Sequence, residues 1–205
     1  MKPTIFTYYQ RIETWNHSEI LLRWRENWQN AGFRTIVCDR NTAKRHPKFG
    51  DYLQKIRTFP TINDRHYEEA CYLRWLAFEV ILDVTDGRGL MSDYDVFNNG
   101  FAEIHMGRDE IVCHERTRVP CLVEATQFGA RRIVEFIMAR EPDHNVGHYS
   151  DMYAFKESDW MISSLCLEMG EDHWELAPAI HVASGAIQRV SPGADKTAFI
   201  LERFK

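Results

Sequence analysis

Thr4-Ile5-Phe6-Thr7-Tyr8-Tyr9, at the start of a 205-residue chain, is β-branched and aromatic and predicts a strand. The segment after it carries Trp15, Ile20, Leu21, Trp24 and Trp28 near helical spacing, and Gly32 supplies a stop signal. Thr35-Ile36-Val37-Cys38 then reads as a short apolar strand ending at Asp39-Arg40. Strand, helix, strand is the opening of a parallel α/β sheet, whose ligands bind beyond the carboxyl ends of the strands. Tyr8, Tyr9, Asp39 and Arg40 stand at those ends, where a ring can stack on a base and a carboxylate can accept from hydroxyl or imino groups.

Residues 41–66 are polar and basic with two prolines, and predict a loop with one short helix. From Tyr67 to Leu82 helical periodicity returns, with Cys71, Trp75, Phe78 and Leu82 on one stripe and Arg74 near its edge. The chain turns at Asp86-Gly87-Arg88-Gly89 and enters Gly89-Leu90-Met91-Ser92-Asp93-Tyr94-Asp95-Val96-Phe97, an apolar approach to two aspartates. In extended backbone, residues two apart share a side, so Asp93 and Asp95 are expected to face one pocket while Tyr94 points away. Two carboxylates suit a hard divalent cation, Mn²⁺ or Mg²⁺. An isolated D-x-D also reads as a solvated acidic turn, so its surroundings must decide.

Downstream, Glu110–His114 and Val119–Glu124 predict strands, and Gln127–Arg140 an amphipathic helix with Ile133, Phe136 and Ile137 inward. A further helix is expected after Ser158, as N-cap, ending at Gly170. Ala179-Ile180-His181-Val182-Ala183 is a last short strand before a Ser/Gly-rich turn.

Composition narrows the function. With 44% hydrophobic, 13% aromatic and 27% charged residues, the chain has the profile of one globular domain. Its formal charge of -5 argues against nucleic acid as a partner, although local basic residues can still grip a diphosphate. No segment approaches the roughly 20 apolar residues of a bilayer span, and the N-terminus lacks a signal-peptide core. The expected location is the cytosol or the periphery of a membrane. Five scattered cysteines, with no C-x-x-C, read as reduced core thiols.

Leu73-Arg74-Trp75-Leu76-Ala77-Phe78-Glu79, followed by Gly89 to Val96, resembles the L-R-Y-x-x-L-Y … G-G-x-Y-x-D-x-D signature of GT-A-fold glycosyltransferases with a DXD sugar-nucleotide motif. Ile180-His181-Val182-Ala183-Ser184-Gly185 is similar to their H-x-x-x-G ending. Three departures stand out: Arg88 replaces the first glycine, Met91 replaces the aromatic, and Ile81–Asp86 lengthen the gap after Arg74.

The resemblance implies a Rossmann-like, mostly parallel sheet flanked by helices, in one domain with a nucleotide-binding half (about 1–98) and an acceptor-binding half (about 99–205). It implies transfer of a sugar, most commonly from a UDP-sugar, to a glycan or other hydroxyl acceptor in surface-polysaccharide assembly. Asp95 and His181 would be metal ligands, with Asp93 reaching the ribose or the metal through water. Arg74 would orient Asp93 or the diphosphate, and Thr7, Tyr8, Tyr9, Asp39, Arg40, Tyr94, Ser184 and Gly185 complete the donor contacts. A general base is sought at Asp151, which follows the loop Asn145-Val146-Gly147-His148-Tyr149, or at Glu124. Two other readings stay open, a Mg²⁺-dependent phosphohydrolase of the haloacid-dehalogenase type and a non-catalytic nucleotide-sugar or glycan-binding module.

Overall fold

The computed structural model describes residues 2–12, 17–85, 87–101, 110–115, 119–141, 143, 145–158, 163–167 and 177–204, with backbone alone over 163–167 and at 186. Trp15, Asp86, Gly170 and the Cys166 side chain lie outside them.

Strands β1 (Thr4–Tyr8) and β2 (Arg34–Cys38) pair in parallel from Thr4↔Arg34 to Tyr8↔Cys38, joined through helix α1 (Ser18–Asn30). Beyond the Asn30 end of α1, Gly32 adopts φ 90°, a left-handed conformation that favours glycine and turns the chain into β2. Next come helices α2 (Arg40–Lys44), α3 (Phe49–Ile56) and α4 (Arg65–Asp83), then β3 (Arg88–Ser92) parallel to the other edge of β1. Strands β4 (Val96–Asn98), β5 (Ile111–Glu115) and β6 (Leu122–Thr126) and helices α5 (Gln127–Ala139) and α6 (Asp151–Glu157) follow. The described chain closes with β7 (Ser163–Leu167), β8 (Ala179–His181), α7 (Ser184–Val190) and α8 (Lys196–Arg203).

The main sheet has the order β2-β1-β3-β6-β5-β7. Among its six strands only β6 runs against the rest, so the sheet is mixed and mostly parallel, as expected. The chain leaves β1 for β2 on one side and returns through α4 to β3 on the other. This reversal makes a crevice at the carboxyl ends of β1 and β3, the place where open α/β sheets bind ligands.

Alternation along each strand feeds two cores. Phe6 and Met91 join α4 and α5 on one face, while Ile5 and Leu90 join α1, β4, β8 and α8 on the other. Helix α4 lies deep in the first core. Tyr72, Leu73, Trp75, Leu76, Ala77 and Phe78 are all fully buried, so it packs on more than one stripe.

Two expectations change. The basic stretch 41–66 holds two short helices, the first started by a reciprocal capping box between Asp39 and Thr42. The helix expected after Ser158 is replaced by helix α6 before it and strand β7 after it; Ser158 ends α6 and donates its hydroxyl to the Phe155 carbonyl at 3.1 Å. A short apolar run fits either period, and the free edge of β5, which β7 joins in parallel, selects the strand.

Helix α5 reaches its sheet through Gly129. Its N–H donates to the Thr126 cap hydroxyl at 2.9 Å, and a Cβ there would fall on the Glu110 carbonyl and the Ile111 side chain. Gly129→Ala should therefore cost about 1–3 kcal/mol as overpacking against backbone. Urea unfolding checks this, and an unchanged midpoint would refute the close approach.

Candidate functional site

The two aspartates do not extend a strand. β3 ends at Ser92, and Asp93–Asp95 form the turn into β4, closed by the Val96 N–H on the Asp93 carbonyl at 3.1 Å. Two tryptophans of α1 hold this turn from below: Trp24 Nε1 donates to Ser92 Oγ and Trp28 Nε1 to the Val96 carbonyl, each at 2.9 Å. Because the backbone turns here, strand alternation does not apply to Tyr94. Its ring lines the same cleft as the aspartates, packs edge-on to Tyr9 and hydrogen-bonds His17 Nδ1 through its hydroxyl at 2.7 Å.

His181 arrives by strand pairing. β8 runs antiparallel to β4 with His181 opposite Val96, and the Val182 N–H donates to the Asp95 carbonyl at 2.9 Å. Asp93, Asp95 and His181 each place one possible ligand atom within 4.8 Å of the others. Asp95 is buried, and its Oδ1, 3.7 Å from His181 Nε2, has no hydrogen-bond partner among the described residues. An unpaired buried carboxylate oxygen between a second carboxylate and an imidazole fits a divalent cation.

Cations already surround the pair. Lys196, the first residue of α8, places Nζ 2.5 Å from Asp95 Oδ2, and Arg74 bonds Asp93 Oδ1. Burial works to raise the Asp95 carboxyl, but Lys196 and then His181 outweigh it and hold it below the ordinary range. For Asp93 burial prevails over Arg74, and the neighbouring Asp95 charge pushes the same way, so it stands above the ordinary range. The two carboxylates are thus held apart in basicity, with Asp95 the firmer anion.

Arg74 also anchors Asp151, donating from Nε at 2.9 Å and from Nη2 to the same Oδ2, which accepts a third bond from Trp75 Nε1 at 3.0 Å. One guanidinium thereby ties α6 to the turn. Asp151, a candidate base by sequence, lines the cleft, and its Oδ2 is taken up by these three bonds.

These groups line one wall of a cleft of about 560 Å³, a volume usual for a small-molecule site. Tyr8, Tyr9 and Ser184 line it too, with Gln10, Ile12 and His17 at the aromatic end, Tyr67, Glu68 and Cys71 along α4, and His148 from the loop before α6. Other expected donor contacts lie elsewhere. Thr7 is fully buried inside the sheet and outside the cleft. The Asp39 carboxylate accepts from the Thr42 N–H at 2.8 Å as a helix cap, and Arg40 pairs with Glu69 at 3.1 Å. Gly185 sits on α7 behind Ser184 and does not reach the cleft. Glu124, the other candidate base, is fully buried in β6 beside His114, 3.4 Å away, and does not line the cleft.

Lys196, His17, Glu68 and His148 carry no local sequence signal for this role. Lys196 lies 101 residues from Asp95, and only packing of α8 brings them together.

Known structures share this architecture. The glycosyltransferase GlyE of Streptococcus pneumoniae TIGR4 superposes with a TM-score of 0.51 at 11% identity, over 99% of this chain; this chain spans 63% of GlyE's length. A glycosyltransferase involved in the glycosylation of the major capsid of PBCV-1 gives a TM-score of 0.53 at 10% identity, over 100% of this chain and 98% of its own. The fold is therefore glycosyltransferase-like. Among the described residues no helix is long and apolar enough to cross a membrane. No curated protein matches the sequence. A family described as a domain of unknown function, DUF8765, matches residues 1–109, and the chain belongs to that family.

Proposed function

We propose that this protein is a metal-dependent glycosyltransferase that moves a sugar from a nucleoside diphosphate sugar, UDP-linked as the first expectation, to a hydroxyl of a glycan or other acceptor. The observation that carries the reading is the convergence of Asp93, Asp95 and His181 at the crevice between β1 and β3. Asp95 and His181, with Asp93, would hold Mn²⁺ or Mg²⁺. When bound, such a cation neutralises the charge that grows on a departing diphosphate.

The remaining work falls to the chain's own side chains. Tyr8, Tyr9 and Tyr94 offer an aromatic end for the base, and the Tyr9 hydroxyl is buried there without a partner among the described residues. Arg74 keeps Asp93 in place through Nη1 and fixes Asp151 through Nε and Nη2. Lys196, close against Asp95, would offer a second positive charge to the diphosphate. Donor and acceptor together would fill the cleft and exclude water, which is the competing acceptor.

The test is thermal shift of the full chain with UDP, GDP and their sugars, with and without Mn²⁺, followed by donor hydrolysis. Ligand at a hundred times its dissociation constant adds about 2.7 kcal/mol to stability. The expected result is stabilisation by one nucleotide only when Mn²⁺ is present, with slow release of free sugar. Stabilisation indifferent to metal, or none with any nucleotide, overturns the proposal. Metal-dependent binding without hydrolysis or transfer favours the binding-module reading.

A further inference from the structure

The part of the cleft away from the metal cluster has its own polar equipment. Along α4, Arg74, Cys71, Glu68 and Tyr67 line the wall in sequence, with Glu68 six residues, roughly 9 Å of helix rise, before Arg74. Glu68 is 2% exposed, and its two oxygens are used differently. Oε2 accepts from Asn63 Nδ2 at 3.0 Å and Thr61 Oγ1 at 3.3 Å, which locks the carboxyl plane. Oε1 has no hydrogen-bond partner among the described residues, and neither does the buried Nδ1 of His148, another cleft-lining residue.

Both groups are held in place. The loop bearing His148 is pinned by the Tyr149 N–H on the Pro60 carbonyl at 2.8 Å and by the Tyr72 hydroxyl on the Tyr149 carbonyl at 3.0 Å. Burial raises the Glu68 carboxyl above its ordinary range against the Asn63 hydrogen bond; Asp151 adds to the rise and His148 opposes it. An unsatisfied buried carboxylate oxygen and an unsatisfied imidazole nitrogen in one pre-set wall are costly unless a ligand completes them. An anion is disfavoured beside Glu68 and Asp151. A hydroxyl group both donates and accepts, so two hydroxyls of one neutral polyol meet both requirements.

We infer that Glu68 and His148 form a saccharide-binding subsite that seats the acceptor sugar through its hydroxyls, with Glu68 Oε1 as the fixed acceptor. The inference takes its ligand class from the transferase reading, but its test needs neither nucleotide nor metal. Methyl glycosides of glucose, galactose, mannose and N-acetylglucosamine are titrated against the full chain by saturation-transfer NMR. The set is repeated for Glu68→Gln, His148→Ala and Asp95→Asn.

At least one glycoside should bind the native chain and the Asp95→Asn variant alike, with an affinity lower by about tenfold or more in Glu68→Gln and His148→Ala. Thermal melting of each variant confirms that it is folded, and two variants on different elements guard against a local collapse. Binding of no glycoside, or equal binding by the native chain and both subsite variants, overturns the inference. Failure of the nucleotide experiment with glycoside binding intact would remove the transferase reading and leave the saccharide subsite standing.

Discussion

Asp95→Asn should abolish metal-dependent stabilisation by the nucleotide and lower sugar transfer about a thousandfold. The substitution keeps the shape of the side chain and removes the charge from the oxygen that lies unpaired beside His181. Neutralising a leaving diphosphate is worth several kcal/mol, and each 1.4 kcal/mol is a factor of ten in rate. Stability should fall by less than the activity does. Lys196, 18% exposed, loses its carboxylate partner, a loss of about 1.5–3 kcal/mol that is partly offset because Asp93 is relieved of a like charge. The measurement pairs urea unfolding with thermal shift in UDP and Mn²⁺. Retention of the metal-dependent shift in a folded Asp95→Asn protein would remove Asp95 from the site.

The largest stability effect is expected at Arg74. Its guanidinium is buried and bonded to both Asp93 and Asp151, and Asp151 is itself 4% exposed. Burial works against the charge on Arg74, but those two carboxylates outweigh it and favour its protonated form. Arg74→Met leaves Asp151 as a buried carboxylate with Trp75 Nε1 and no cation, which costs about 3–5 kcal/mol. Arg74→Met with Asp151→Asn should recover part of that loss, because the stranded charge and not the missing side-chain volume carries most of it. Denaturant unfolding of the two single variants and the double variant closes the cycle. A cost below about 1 kcal/mol for Arg74→Met would mean the network contributes little.

The Asp95 and Arg74 variants separate the roles of the site. Asp95 is expected to matter for ligand and leave the fold intact, whereas Arg74 joins α4, the aspartate turn and α6 into one frame. A cleft built this way holds its carboxylates before any ligand enters, which lowers the ordering cost of binding.

The amino-acid sequence by itself determined the elements whose cause is local. The β-branched run at Thr4–Tyr8, the tryptophan spacing to Trp28, the Gly32 turn and the apolar approach to Asp93 each follow from backbone preference and periodicity. The parallel strand-helix-strand opening and the crevice beyond β1 were legible for the same reason, whereas the mixed, mostly parallel sheet as a whole was implied by the glycosyltransferase resemblance. Where local energy does not separate two choices, the sequence pattern points to the one not adopted: a helix through Ser163–Leu167, which form a strand, and extended backbone at Asp93–Asp95, which form a turn, while Asp39, expected as a ligand contact, caps α2. Tertiary structure made those choices, through the edge of β5, the tryptophan bonds under the turn and the first turn of α2. It alone brought Lys196 and Asp151 to the aspartates and placed Glu68 and His148 in one cleft, whereas His181 is already assigned to the aspartates by the resemblance. Such meetings depend on long-range packing, in which residues far apart in the chain gain their partners only when the whole sheet is formed.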